Sequence, residues 1–352
     1  MTNAREVDIG ERPGPSPEIR ESDMHIVNWR PWACASLAVL LLAATAAGAE
    51  PMAFAPNEKS GTISIIDTAS DKVVGEIEVG VKPRGLAVTR DGKLIYVSDQ
   101  RADAVHVVDV AARRVIADIE IGASPEGVSI SADGKWVATA LEDANAVALV
   151  DTRTNKVAAT IPLAGKNPEH AVFSPDGKWL YVSAENGTSV DVIDVAARKA
   201  VSSVPVAHRP RGIAFTPDGK LAYVACEVDT TLFAIDVASH KPLSSLKIGV
   251  AIGGVTMHPD GKRVFVADGK GASVFAIDTA TNKVIATVEV GKRPWNMAIT
   301  PDGRKLYVAN GRSNSVSVID VTTFRKLLDI PVGELPWGVA IPVAHGSHPG
   351  TP

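Results

Sequence analysis

The chain has 352 residues, a length that suits two ordinary domains or one large closed β architecture. Charged side chains make up 22% and the formal net charge is −4, which indicates neither a basic surface for nucleic acid nor an acidic solvating tail. With 29 glycines and 23 prolines against a hydrophobic share of 45% and only 5% aromatics, the composition suits many short apolar strands separated by turns and excludes a disordered chain or a helical bundle.

The stretch from Ala33 to Ala49 is small and apolar, follows Arg30, and closes with Ala47-Gly48-Ala49 ahead of Glu50. That is the layout of a secretory signal peptide, with an apolar run of about 15 residues where a membrane span needs about 20. The expectation is export to the periplasm with cleavage after Ala49 and no transmembrane segment thereafter; a retained N-terminal anchor is the rival. Met24 stands just ahead of this segment, so Thr2 to Asp23 reads as an extension outside the fold. Cleavage leaves Cys226 as the one remaining cysteine, expected to be buried and inert, so an internal disulfide cannot stabilise the exported chain.

From residue 50 onward the chain repeats itself. Asp-Gly recurs at residues 91, 133, 176, 218, 260 and 302, at spacings of 42, 43, 42, 42 and 42. An aspartate closes a β-branched run seven times at the same period, as Asp67, Asp109, Asp151, Asp194, Asp236, Asp278 and Asp320. Pro83, Pro125, Pro168, Pro210, Pro294 and Pro336 form a third series, with Ile252 where a proline is missing. Each unit reads as four strands, for instance Gly85 to Thr89, Leu94 to Asp99, Ala104 to Asp109 and Arg114 to Ile121, with Asp91-Gly92 as a hairpin connection. Units of about 42 residues with four short strands are propeller blades. The predicted fold is therefore all-β, a seven-bladed β-propeller of four-stranded antiparallel blades. Met52 to Val79 supplies three strands and Trp337 to Ile341 an innermost one, so the ring is expected to close by pairing the C-terminal strand into the N-terminal blade. The predicted organisation is an extension and signal peptide over 1–49, the propeller over 50–342 and a flexible tail over 343–352.

Units such as Lys305-Leu306-Tyr307-Val308-Ala309-Asn310 followed by Ser315-Val316-Ser317-Val318-Ile319-Asp320 resemble the YVTN-type β-propeller repeat and lack the Trp-Asp ending of WD40 repeats. The run Asn57-Glu58-Lys59-Ser60-Gly61-Thr62-Ile63-Ser64-Ile65-Ile66-Asp67, with the signal peptide and seven units, resembles the exported propeller family associated with PQQ-dependent catabolism. The resemblance implies a role accessory to PQQ-dependent alcohol oxidation, with a periplasmic protein partner such as a quinoprotein dehydrogenase system or a transporter component. The vicinal disulfide and the repeated tryptophan pattern of the quinoprotein dehydrogenases themselves are missing, so PQQ binding by this chain has no motif behind it.

A residue present in every blade serves the blade, so recognition is expected where blades differ. In propellers the loops leading into the innermost strand and those joining the second strand to the third share one face, around the channel mouth. After the proline stand Arg84, Glu126, Glu169, Arg211, Gly253, Trp295 and Trp337, and the following residue is Gly except at His170 and Asn296. The single spacing of 43 falls in the loop that delivers Glu169 and His170. The second set of loops carries Asn57-Glu58, Asp99-Gln100, Leu141-Glu142, Ala184-Glu185, Cys226-Glu227, Asp268-Gly269 and Asn310-Gly311. The expected ligand- or partner-binding face comprises Arg84, Asp99, Glu169, His170, Glu185, Arg211, Glu227, Trp295 and Trp337, because tryptophan and arginine dominate binding hot spots and mixed charge suits a polar ligand or a protein loop. In the rival reading, Arg84 and Arg211 only neutralise neighbouring carboxylates.

Enzyme chemistry has little to stand on. No Cys-x-x-Cys-His, Gly-x-Ser-x-Gly, His-Glu-x-x-His or phosphate-binding glycine loop occurs. The expectation is a non-catalytic binding propeller with no catalytic residue, no metal ligand and no cofactor assigned. Two alternatives remain: a metal-assisted lyase or lactonase-like enzyme using His170, Glu169, Glu185 and Glu227, with a divalent cation such as Ca²⁺ on converging carboxylates, and a cell-surface structural propeller.

Overall fold

The computed structural model describes residues 51–342 together with Gly14, so the expected signal segment and the tail 343–352 lie outside the described residues. The described chain forms 27 strands, β1 to β27 in order. β1 (Met52–Asn57), β2 (Thr62–Asp67) and β3 (Lys72–Glu78) make a three-stranded sheet, and six four-stranded antiparallel sheets follow, beginning with β4 (Pro83–Val88), β5 (Leu94–Asp99), β6 (Ala104–Asp109) and β7 (Arg114–Glu120). The innermost strands of the other five are β8 (Pro125–Ile130), β12 (Pro168–Phe173), β16 (Pro210–Phe215), β20 (Ile252–Met257) and β24 (Pro294–Ile299). The expected seven-bladed propeller is the observed fold.

Strand composition follows position in the blade. The middle strands lie between two neighbouring blades and are covered on both faces, so β5 carries the continuous apolar run Ile95-Tyr96-Val97, and β6 is buried from Ala104 to Val108, with His106 among its valines paired to Asp99 and Asp118. The outermost strand has solvent along its edge, and in β7 only Ile119 is buried. At three junctions a tyrosine hands a polar tie to the next blade. The Tyr96 hydroxyl donates to Asn155 at 2.9 Å, Tyr181 meets His240 at 2.8 Å, and Tyr307 bonds Asp71 across the closing seam, where Lys305 adds an ion pair to Asp71 at 2.7 Å. The Asp-Gly turns are structural: Asp91 accepts from the Thr89 hydroxyl and the Lys93 amide, and Gly92 sits at φ 70°.

Closure differs in detail from the expected fourth strand. The segment after Pro336 joins β1 through two isolated bridges, Asn57 with Pro336 and Phe54 with Ala340. Phe54 and Ala340 exchange both backbone bonds at 2.9 and 3.0 Å, and the Trp337 amide donates to the Pro56 carbonyl at 3.0 Å. A bulge over Trp337-Gly338 and the missing amide of Pro342 leave too few regular residues between them for a ladder.

The inner strands stack backbone on backbone. A Cβ on Gly85 would stand 2.5 Å from the Glu126 carbonyl oxygen, one on Gly127 2.6 Å from that of Glu169, one on Gly212 2.6 Å from that of Gly253, and one on Gly254 2.0 Å from that of Trp295. Glycine is thus a contact requirement at these four positions, whereas the neighbouring Gly253 faces open space. Gly254→Ala is therefore expected to cost about 1–3 kcal/mol by overpacking, and Gly253→Ala to change stability by about 0.5 kcal/mol or less. Urea midpoints of the two variants check this, and equal losses would contradict the stacking.

Candidate functional site

In six blades the register of the innermost strand skips two residues just after its first residue, as between Pro83 and Leu86 or Pro168 and Ala171. The skipped pairs are Arg84-Gly85, Glu126-Gly127, Glu169-His170, Arg211-Gly212, Gly253-Gly254 and Trp295-Asn296. A bulge turns side chains out of the pleat, which carries the irregular series to the channel mouth while the glycine beside each holds the strands together.

Most of the expected charged residues meet there. Arg211 binds three carboxylates, at 2.7 Å to Glu169, 2.8 Å to Glu185 and 3.6 Å to Glu227. Arg209 pairs with Glu185 and reaches Glu227 at 3.2 Å, and Arg293 reaches Glu227 at 3.2 Å. Arg84 pairs with Glu126 and lies 3.3 Å from Glu58, and Gln100 bridges Glu126 and Glu142. Every arginine is thus engaged by carboxylates.

Burial sets the protonation pattern. It pushes Glu169 up to about 8, against the pull of Arg211 and with the charges of Glu185 and Glu126 adding to it. Burial likewise lifts Glu126 to about 7 against Arg84. Burial works in the same direction on Glu185, but Arg211 and Arg209 hold it below the usual carboxylate range. His170 is driven down to about 4 by burial and by the charge of Arg211, so its imidazole is neutral.

At two of seven blades the glycine register holds a side chain instead, and the two side chains find each other across the channel. His170 Nε2 lies 3.3 Å from Asn296 Oδ1, and its ring stacks on Trp337 with centroids 5.4 Å apart and planes at 20°. Asn296 Nδ2 donates to the Trp337 carbonyl at 3.4 Å. Beside this bar a cavity of about 130 Å³ opens in the channel, with Arg84, His170, Asn296 and Trp337 in its wall.

Two expected residues lie elsewhere. Asp99 is fully buried, and its carboxylate accepts from the backbone amides of Val81 (2.6 Å), Lys82 (3.1 Å), Arg101 (2.9 Å) and Ala102 (3.2 Å), so it clamps two loops of its own blade instead of joining the mouth cluster. Trp295 lies over Gly311, beneath the Arg293 guanidinium at 5.9 Å, and stays apart from the His170 and Trp337 pair. Arg209 and Arg293 escaped the sequence reading because they precede the proline. Both take positive φ, 60° and 56°, and this second register, once compared blade by blade, exposes them.

A hard cation held by the lyase- or lactonase-like set fits poorly. Glu169, Glu185 and Glu227 already surround a guanidinium, and among the described residues no group of three or more His, Cys, Asp or Glu side chains is arranged to hold a metal. Cys226 is buried, and burial pushes its thiol up to about 12.

The fold and mouth define a seven-bladed propeller with an ion-paired channel face. Two family models match parts of the chain: the seven-bladed β-propeller lactonase over residues 197–331 and the YNCE-like β-propeller over residues 41–134. A comparison with curated proteins finds no match. Among solved structures, the chain is similar to a chain of Kuenenia stuttgartiensis hydrazine synthase at 27% identity and a TM-score of 0.70, covering 76% of this chain and 91% of that one. It is similar to a functionally unknown protein from Desulfotomaculum acetoxidans DSM 771 at 17% identity and a TM-score of 0.73, covering 83% and 98%. The dihydro-heme d1 dehydrogenase NirN in complex with DHE matches at 17% identity and a TM-score of 0.65, covering 84% and 76%, and these last two likenesses speak for the fold alone.

Folded Glu126 and Glu169 keep protons that an unfolded chain releases above about pH 4.3. Their contribution to stability is complete below that value and is lost as the pH rises through about 7 and about 8. The double variant Glu126→Gln, Glu169→Gln should gain melting temperature relative to wild type as the pH is raised from about 5 to about 8.5. Calorimetry at four pH values checks this; a difference that stays constant or shrinks with pH contradicts the protonated assignment.

Proposed function

We propose that this chain is an exported, non-catalytic propeller that binds a protein partner or small ligand at its channel face, accessory to PQQ-dependent alcohol oxidation. The carrying observation is the mouth itself, where the side chains that differ between blades collect while their charges are spent on one another. The carboxylates around Arg211 face its guanidinium, the thiol is buried, and the neutral His170 imidazole is engaged by Asn296 and Trp337. Recognition needs less: Trp295 partly exposed, with Val228 and Val250 exposed in loops on the same face, suits a desolvated contact with a protein. The export and periplasmic parts of this reading rest on the segment from Ala33 to Ala49, and the PQQ part rests on the family resemblance of the repeat.

Tagged chain should retain a quinoprotein alcohol dehydrogenase from a periplasmic extract, and Trp295→Ala should weaken that retention about 30-fold, the loss of one hot spot of about 2 kcal/mol, with melting unchanged. Equal retention by the variant, or no dehydrogenase recovered by wild type, overturns the proposal.

The lactonase model over residues 197–331 favours a second reading, a metal-assisted lyase or lactonase. It requires a stoichiometric divalent metal. Elemental analysis of the purified chain is expected to find none, and one metal per chain would favour the enzyme.

A further inference from the structure

The inner charges of the mouth are matched, but its rim is divided. Just after the second strand of the blade stand Glu58, Gln100, Glu142, Glu185 and Glu227, and in the last two blades Gly269 and Gly311. Both vacated places are filled from either side of Pro294. A Cβ on Gly269 would stand 3.1 Å from an Arg293 guanidinium nitrogen, and one on Gly311 2.5 Å from the Trp295 ring. The four loops of this sector, 248–251, 269–272, 290–293 and 311–314, carry Lys270, Lys292, Arg293 and Arg312 and not one Asp or Glu. Arg293 is held by Glu227. Lys270, Lys292 and Arg312 are exposed and make no ion pair among the described residues. Backbone bonds fix their places: the Arg312 amide donates to the Lys292 carbonyl at 3.1 Å, the Gly311 amide to the Arg293 carbonyl at 3.0 Å, and the Lys292 amide to the Ser313 hydroxyl at 2.7 Å. Lys270 follows Gly269, whose amide donates to the Ala251 carbonyl at 2.8 Å, so the exposed Val250 lies in the adjoining loop.

Three unmatched cations around a partly exposed tryptophan and an exposed valine suit an occupant that is anionic and also has an apolar group. A flat anionic surface or a nucleic-acid backbone would meet the rest of the face as well, where Asp103, Glu142 and Asp143 oppose it. A short chain segment can keep to one sector. A small inorganic anion would leave Trp295 and Val250 uncovered. We infer that the rim of the last two blades is a docking site for an acidic segment of a partner protein, its carboxylates on Lys270, Lys292 and Arg312 and an apolar side chain on Trp295 and Val250. This deepens the recognition reading and rests on it, since it names the chemistry of the partner segment for the same face.

Fluorescence anisotropy of a labelled heptapeptide, six Asp and Glu residues around one leucine, titrated with the full chain, tests it. Affinity should fall about tenfold between about 20 mM and about 150 mM salt. The counterpart with Asn and Gln in place of the acids should bind at least about tenfold more weakly than the acidic peptide at the lower salt. The double variant Lys292→Glu, Arg312→Glu changes exposed side chains only, so its melting should match wild type, and it should weaken the peptide about tenfold. Arg101→Glu with Lys166→Glu makes the same change in net charge on exposed cations elsewhere on the face, and should weaken it less than about twofold. The inference is overturned by a neutral peptide that binds as well as the acidic one, or by two double variants that weaken binding alike. It is equally overturned by displacement of the peptide by inorganic phosphate at matched ionic strength, or by sedimentation of the chain with phosphatidylglycerol vesicles that the first double variant abolishes. No peptide binding, with Trp295→Ala still losing its dehydrogenase, overturns this inference alone. Peptide binding with no dehydrogenase recovered overturns the quinoprotein assignment and leaves the docking site standing.

Discussion

The structure depends on how closely neighbouring innermost strands approach. At four junctions the backbone of one strand rests on the backbone of the next, and the glycine there has no room for a side chain, as the 2.0 Å between a Gly254 Cβ and the Trp295 carbonyl shows. That approach keeps the ring narrow and presses the middle strands of adjacent blades together, so that a chain with few aromatics builds its core from Val, Ile and Ala. It also explains why the irregular residues are informative. A side chain at the glycine register has nowhere to go but the channel, and His170 and Asn296 both take that route and meet there.

Electrostatics at the mouth follows from the same narrowness. Inward-turned glutamates from several blades crowd a small, poorly hydrated space, where each must be paired or neutralised. The chain uses both devices. Arginines placed before and after the proline thread between the carboxylates, and a guanidinium can serve three of them where a single ammonium serves fewer. Glu169, the most buried of the three around Arg211, holds its proton instead. A cluster that looks like a cation site in one dimension is thus already filled by the protein's own cations.

How much of this was legible in the sequence differs between fold and site. The repeat carried the fold because its markers are local: an Asp-Gly turn and an aspartate closing a strand act within a few residues of themselves, so their period reports the blade directly. The mouth was legible in part. Arg84, Glu169 and Arg211 share one register, just after the proline of the innermost strand, and Glu185 and Glu227 share another, just after the second strand, and the two registers meet at the mouth. Asp99 stands one residue earlier than that second register, at the position of Ala184 and Cys226, where the side chain turns to its own loop amides; Gln100 is the residue equivalent to Glu185 and Glu227, and it does reach the mouth. The pairing of His170 with Asn296, 126 residues apart, depends on ring closure and on both lacking glycine, and only the second of these is written locally.

Closure imposes one further demand. In the other blades the first strand is held by a ladder, but the segment after Pro336 is held to β1 at two points, so the seam between the last blade and the first must draw strength from elsewhere. It does so on both faces of the ring. On one face Lys305 and Tyr307 converge on Asp71, and on the other the amides of Glu58 and Lys59 donate to the carbonyls of Leu335 and Glu334 at 3.0 and 3.1 Å. Trp337 belongs to this weakly laddered segment and is also the surface on which His170 stacks. Any opening of the seam therefore shifts Trp337 and disturbs the bar across the channel. The joint that closes the ring and one side of the cavity wall, Pro56 with Trp337 to Val339, are thus the same few residues.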